Sequence, residues 1–113
     1  MCIDANDLYI GESDGKTVRF LLHDTSNVPR KHGKGGQSEQ RFKRARKQAL
    51  IHWFKESYEK IESIRKDRGV FLGASSVYIS YINRYMNMYI IERKSISIDD
   101  NCLWELIGKS RYE

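Results

Sequence analysis

Apolar and polar residues are distributed along this chain in two different rhythms. Near the amino end the alternation is that of strands. Asp7 to Gly11 and Lys16 to His23 read as two β-strands. Ser13-Asp14-Gly15 between them is a turn signal of the Asp-Gly kind, so the pair is expected to form a β-hairpin. From Phe42 the rhythm changes. Apolar residues recur at Phe42, Ala45, Ala49, Leu50, Trp53, Phe54, Tyr58, Ile61 and Ile64, mostly in steps of three and four. This is the stripe of one long amphipathic helix, expected over about 38–66 and on the order of 40 Å long. Ser38 is its expected N-cap, with Glu39 in the first turn, and Gly69 after Asp67-Arg68 its natural stop. At helical spacing on one stripe, Trp53, Phe54 and Tyr58 read as core rather than as base-stacking residues.

The carboxyl half alternates short elements. Val70-Phe71-Leu72, wholly apolar between Gly69 and Gly73, reads as a strand buried on both faces near the middle of a sheet. Ser75 or Ser76 caps a second helix carrying Val77, Ile79, Tyr81, Ile82 and Met86. Met88 to Glu92 is a further strand, continuing toward Ile98. Asp99-Asp100-Asn101 caps a last helix with Leu103, Trp104, Leu106 and Ile107, ending near Gly108. The strand–helix–strand unit is expected to make a right-handed parallel crossover. The fold class is therefore α/β: a mixed sheet packed against a long helix, in one domain over residues 1–113 with no internal repeat or linker.

Between hairpin and helix lies a long polar segment, 24–37, holding three glycines and the chain's single proline, Pro29. It reads as a surface loop protruding from the domain and lacking apolar anchors apart from Val28, so it is expected to be poorly ordered. The helix, its stripe packed on the sheet, is expected to be rigid. Charge concentrates here. From Arg30 to Lys47 stand eight Lys or Arg residues against Glu39 alone, so this stretch carries more positive charge than the +5 of the whole chain and the rest is net negative. A one-signed surplus around a glycine-rich tip points to a polyanionic partner, nucleic acid above all. At the tip, Gly35 and Gly36 let the backbone approach a substrate with no Cβ in the way. Gln37 then offers one carbonyl acceptor and two amide donors.

Composition narrows the class. A chain of 113 residues, 40% hydrophobic and 31% charged, suits a globular domain with its own core. No apolar run is long enough to span a bilayer, and the first residues lack the pattern of a secretory signal. Cys2 and Cys102 stand at opposite ends without CxxC spacing and read as reduced thiols of a cytosolic protein. Together with His23, His32 and His52 they show no metal-ligand spacing, and neither a metal nor a cofactor is expected.

The string Val28-Pro29-Arg30-Lys31-His32-Gly33-Lys34-Gly35-Gly36-Gln37-Ser38, followed by Arg41-Phe42 and Arg44, resembles the middle (GGQ) domain of eukaryotic and archaeal polypeptide chain release factors. Gly69-Val70-Phe71-Leu72-Gly73-Ala74 adds to the likeness, which weakens after Tyr85. The resemblance implies translation termination: hydrolysis of the peptidyl-tRNA ester in the ribosomal peptidyl transferase centre, with no enzyme activity away from the ribosome. It implies Gly35, Gly36 and Gln37 as the catalytic tip. Arg30, Lys31, His32, Lys34, Ser38, Arg41, Arg44 and Lys47 become contacts to ribosomal RNA and the tRNA acceptor end. His32 is read as a loop anchor or RNA contact rather than a base. Lys34 stands where many relatives have arginine. Gln37 is a candidate for side-chain methylation by a dedicated methyltransferase.

The chain also departs from the family. It has no codon-reading Asn-Ile-Lys-Ser motif and is too short for the family's domains that read the stop codon and bind a translational GTPase. It is also expected to be abbreviated, since the family's middle domain usually continues past the last helix here. A stand-alone, codon-independent rescue factor and a non-catalytic ribosome- or RNA-binding module are the alternative readings. The expected location is the cytoplasm, with no membrane partner.

Overall fold

The structure is a computed structural model. It describes residues 1–14, 16–29, 37–88 and 90–110, with backbone alone for 37–39 and 108–110. Eight elements follow in chain order: β1 (Cys2–Ile3), β2 (Asp7–Ser13), β3 (Val18–Thr25), α1 (Gln37–Arg65), β4 (Val70–Ala74), α2 (Ser76–Tyr85), β5 (Ile90–Ser95) and α3 (Cys102–Ser110). The strands form one mixed sheet in the order β3-β2-β1-β4-β5. β2 pairs antiparallel with both β3 and β1, whereas β4 runs parallel to β1 and β5. The α/β class and the parallel β4–α2–β5 unit match the pattern reading.

Alternation along each strand sorts the core into two layers, as a pleated sheet covered on both faces requires. Ile3, Leu8, Ile10, Val70, Leu72 and Ala74 pack with Leu50, Trp53, Phe54 and Ile61 of α1 and Ile82 of α2. Cys2, Tyr9 and the half-buried Phe71 pack on the opposite face with Cys102, Leu103 and Leu106 of α3. Phe54, fully buried, stacks on Tyr81 at 5.7 Å and tilts against Tyr78 at 5.9 Å.

β1 has no counterpart in the sequence reading, yet it occupies the sheet centre. Gly73 makes room for it. The Gly73 N–H donates to the Met1 carbonyl at 2.8 Å, and a Cβ on Gly73 would lie 2.5 Å from Ile96 Cδ1 and 3.2 Å from Cys2 Sγ. The two cysteines, 100 positions apart in the chain, are both fully buried and free, and lie in the same layer of the core. The neighbouring Cys102, then burial, pushes the Cys2 thiol upward, so it stays protonated. Beyond β1 the sheet opens into a cavity of about 390 Å³ between β2 and β4, lined by Ile61, Ile64, Phe71, Leu103 and Leu106 with Arg65 and Arg68.

Several boundaries differ from the sequence reading. α1 begins at Gln37, which puts Ser38 inside the first turn rather than ahead of it. It ends at Arg65, and Lys66 takes the left-handed conformation with φ 56°, a role the sequence assigned to Gly69. Ser75 stands at the N-cap position of α2 but makes no side-chain capping bond. β5 stops at Ser95, and α3 continues through Gly108 to Ser110. Asp14 closes the hairpin by accepting from the Lys16 and Thr17 N–H groups at 2.9 Å each, bonds that hold its carboxyl below the usual range. Tyr9 ties the α3 layer to β2 by donating to Asp100 Oδ1 at 3.0 Å. Burial, then this bond, pushes its phenol up to about 12.

Candidate nucleic-acid interface

α1 is built from strong helix formers. Gln, Glu, Arg, Lys and Ala fill most of 37–49, where little packing helps to hold the helix. Gln40, Arg41, Lys43, Arg44, Ala45, Lys47 and Gln48 are all exposed, and the continuous buried stripe starts only at Leu50. The expectation of a stripe packed from end to end is therefore corrected. Ala45 is exposed and Phe42 and Ala49 are half-buried, because close packing against the sheet and α2 becomes continuous only from Leu50.

These turns carry the charge. Positions 37, 41 and 44 are separated by four and three residues and share one helix face, with Lys47 one turn further on. Arg41, Arg44 and Lys47 form no ion pair among the described residues. Their field adds to the positive end of the helix dipole and to the unsatisfied N–H groups of its first turn. A polyanion meets both.

Arg46 differs from its neighbours. It is half-buried, its Nε donates to the Pro29 carbonyl at 3.1 Å, and its Nη2 donates to Tyr78 Oη at 3.4 Å. It joins the segment entering α1 to both helices. The sequence reading counted Arg46 only as charge. The signal was a cation at the i+4 position from Phe42 and i−4 from Leu50, on the apolar side of the helix.

The segment after β3 is tied down more firmly than its composition suggests. Ser26 N–H donates to Asn6 O at 2.9 Å, and its hydroxyl donates to Ala5 O. Val28 N–H donates to Ser26 Oγ at 3.3 Å, and the Val28 side chain is buried in the core. The partner turn at Asp4 is fixed in the same way. Asp4 Oδ1 accepts from Asn6 and Asp7 N–H at 2.8 Å, and Asp4 O accepts from the Trp53 indole N–H at 2.8 Å. Asp24 and Thr25 belong to β3, and Lys60 of α1 pairs with Asp24. The expectation of a poorly ordered loop from Asp24 onward is thus corrected for residues 24–29. Trp53, with its indole bonded and its ring in the core, is not available to stack on a base.

Of the expected site residues, Arg30, Lys31, His32, Lys34, Gly35 and Gly36 lie outside the described residues. Gln37 is the first residue of α1 and Ser38 the second. The structure brings Gln37, Ser38, Arg41, Arg44 and Lys47 onto one helix, 12 residues into the chain from Thr25, where β3 ends. Among the described residues no group of three or more His, Cys, Asp or Glu side chains is placed to hold a metal ion. Nor is any helix among them long and apolar enough to cross a membrane.

Two comparisons accompany this geometry. The family model described as eRF1 domain 2 matches residues 2–102. The peptide chain release factor subunit 1 of Archaeoglobus fulgidus is 30% identical over 122 aligned positions, which cover 96% of this chain and 30% of that relative. The chain thus spans less than a third of the length of the curated relative it matches. With a family model running from β1 to the start of α3, the chain belongs to the eRF1 family.

Proposed function

We propose that this domain acts in peptide release during translation termination, presenting Gly35-Gly36-Gln37 to the ester that joins a finished peptide to tRNA. The observation that carries the reading is the placement of Gln37. It opens a helix whose exposed first turns carry Arg41, Arg44 and Lys47, with no ion-pair partner among the described residues. Membership of the eRF1 family supports it.

The chemistry is constrained by the residues present. Hydrolysis adds water to the ester carbonyl, breaks the bond to the ribose oxygen and returns a proton to that oxygen. An amide side chain does not titrate near neutral pH, so Gln37 is not the base. Its backbone N–H donates to the oxygen that becomes negative in the tetrahedral intermediate, and its side chain orients the attacking water. Gly35 and Gly36 give clearance, so that a Cβ at either obstructs the approach. Proton transfer falls to RNA groups at the peptidyl transferase centre, including the ribose hydroxyl of the tRNA.

The cations have a separate task. Arg41, Arg44 and Lys47, with Arg30, Lys31, His32, Lys34 and Ser38, hold phosphates of ribosomal RNA and the tRNA acceptor end without reading sequence. Stop-codon recognition and GTPase contact belong to other parts of a full release factor. The setting is the cytoplasm. Gln37 is also the acceptor for a glutamine methyltransferase, checked as a one-methyl mass increment on the peptide that contains it.

The test is release of labelled peptide from ribosomes carrying peptidyl-tRNA. Release by the native chain, and its loss by about 100-fold in Gln37→Ala and Gly36→Ala, is expected. Equal release by all three removes the catalytic reading. Salt-dependent ribosome binding with release by none would make the chain an RNA-binding module. Release without a stop codon would make it a rescue factor.

A further inference from the structure

Among the cations at the start of α1, Arg46 alone is both half-buried and bonded to two other segments. We propose that Arg46 is a positioning residue for the release tip, tying the Pro29 end of the entering segment to α1 and α2 rather than contacting RNA. This deepens the reading of the domain as a release module and rests on it.

The argument is geometric. Residues 26–29 descend from the sheet edge and are held by three successive fixings. Ser26 bonds to the 5–6 turn, Val28 is buried in the core, and Pro29 O accepts from Arg46. Pro29 has no N–H of its own, so its carbonyl is the backbone group through which this residue can be tied. The Arg46 guanidinium is a planar fork. One arm reaches the Pro29 carbonyl, and the other reaches the Tyr78 hydroxyl on α2. The same side chain thus fixes the end of the entering segment relative to the helix that begins with Gln37. Lysine carries the same charge but is a point donor on a flexible stem, and it does not reproduce the two-armed geometry. Misplacement of about 1 Å at a reacting group lowers rate by as much as 100-fold. A clamp on the segment leading to the tip therefore affects the rate of the bound complex more than binding.

This separates Arg46 from Arg44 in experiment. Arg46→Lys and Arg46→Met are compared with Arg44→Lys and Arg44→Gln in the ribosome release assay, reading the plateau rate and the half-saturating concentration separately. Both Arg46 variants are expected to lose about tenfold in plateau rate, with half-saturation changed less than about twofold. Arg44→Gln, which removes a phosphate contact, is expected to raise half-saturation more than it lowers the plateau, and Arg44→Lys, which keeps the charge, to do the same by a smaller factor. Recovery of native behaviour in Arg46→Lys, with a shift of half-saturation in Arg46→Met, would mean that Arg46 is one more phosphate contact and would overturn the proposal.

Amide exchange supplies a readout that needs no ribosome. In Arg46→Lys the Val28 N–H is expected to exchange about tenfold faster while the Val70–Ala74 strand is unchanged. Unchanged exchange at Val28 overturns the clamp. Tyr78→Phe, which removes only the second acceptor, is expected to accelerate the same amide by a smaller factor. If the native chain releases no peptide, the functional reading fails, and the clamp stands or falls on exchange alone.

Discussion

The two ends of α1 handle the same raw material in opposite ways. Over residues 40–48 the helix is mostly exposed and cationic, and Arg41, Arg44 and Lys47 have no ion-pair partner among the described residues. From Leu50 onward it is embedded in the sheet and α2, and several of its charges are paired. His52 faces Glu56, Lys60 pairs with Asp24, Arg65 with Glu62, and Arg68 just past its end with Glu12. Surface ion pairs of this kind stabilise by only about 0–1 kcal/mol each. Pairing at the far end nevertheless reduces the free positive field there, whereas Arg41, Arg44 and Lys47, unpaired among the described residues, concentrate it at the near end. One continuous helix is packed scaffold at one end and an exposed cationic face at the other. The boundary falls at Arg46, the one cation of the first turns drawn into the packed side.

The largest effect should appear when a single core residue is compared with a single tip-end cation. Phe54→Ala removes a fully buried ring from between α1 and α2 and is expected to destabilise the fold by about 3–5 kcal/mol. Arg44→Ala should change stability by less than about 0.5 kcal/mol, since its side chain is exposed. Urea melts of the two variants check this. Comparable losses would mean that the first turns are packed after all and would break the contrast.

A smaller effect, in binding rather than stability, should come from neutralising the exposed face. Replacing Arg41, Arg44 and Lys47 together by glutamine should leave the urea midpoint unchanged. It should lower the slope of log affinity for ribosomes against log salt by about 2. The same change at Lys60 and Arg65, which already pair with Asp24 and Glu62, should hardly alter that slope. An equal response from both sets would mean that the whole helix, and not its first turns, faces RNA.

Most of this organisation was visible as periodicity. The hairpin, α1, the β4–α2–β5 unit and α3 each follow from runs long enough for a period of two or 3.6 to register. β1 left no such trace. Two residues carry no period, and the pairing of Cys2 with Gly73 in the sheet is a long-range contact that no local pattern reports. Cys2 and Cys102 looked unrelated because only the folded sheet brings the two ends of the chain into one layer. The hold on residues 24–29 was hidden for another reason. It rests on backbone carbonyls of residues 5, 6 and 29, which composition does not report. The tip motif and its cations, by contrast, were plain in the sequence. Glycines, an amide and one-signed charge form a chemical pattern before they form a shape.

The packed end of α1 holds one defect that sharpens the contrast further. Ser57 lies on the core stripe between Phe54 and Ile61, fully buried, and its hydroxyl finds no hydrogen-bond partner among the described residues. A buried hydroxyl without a partner costs about 1–3 kcal/mol of desolvation, and serine is a weaker helix former than alanine. Ser57→Ala removes both penalties, and the cavity left by one oxygen is small. The expected outcome is a stability gain of about 1 kcal/mol by urea melt, with ribosome binding unchanged because position 57 is fully buried on the packed end, beyond the exposed turns. A loss of stability instead would mean that the hydroxyl is bonded, and that the far end of α1 is satisfied in its polar groups as well as its charges.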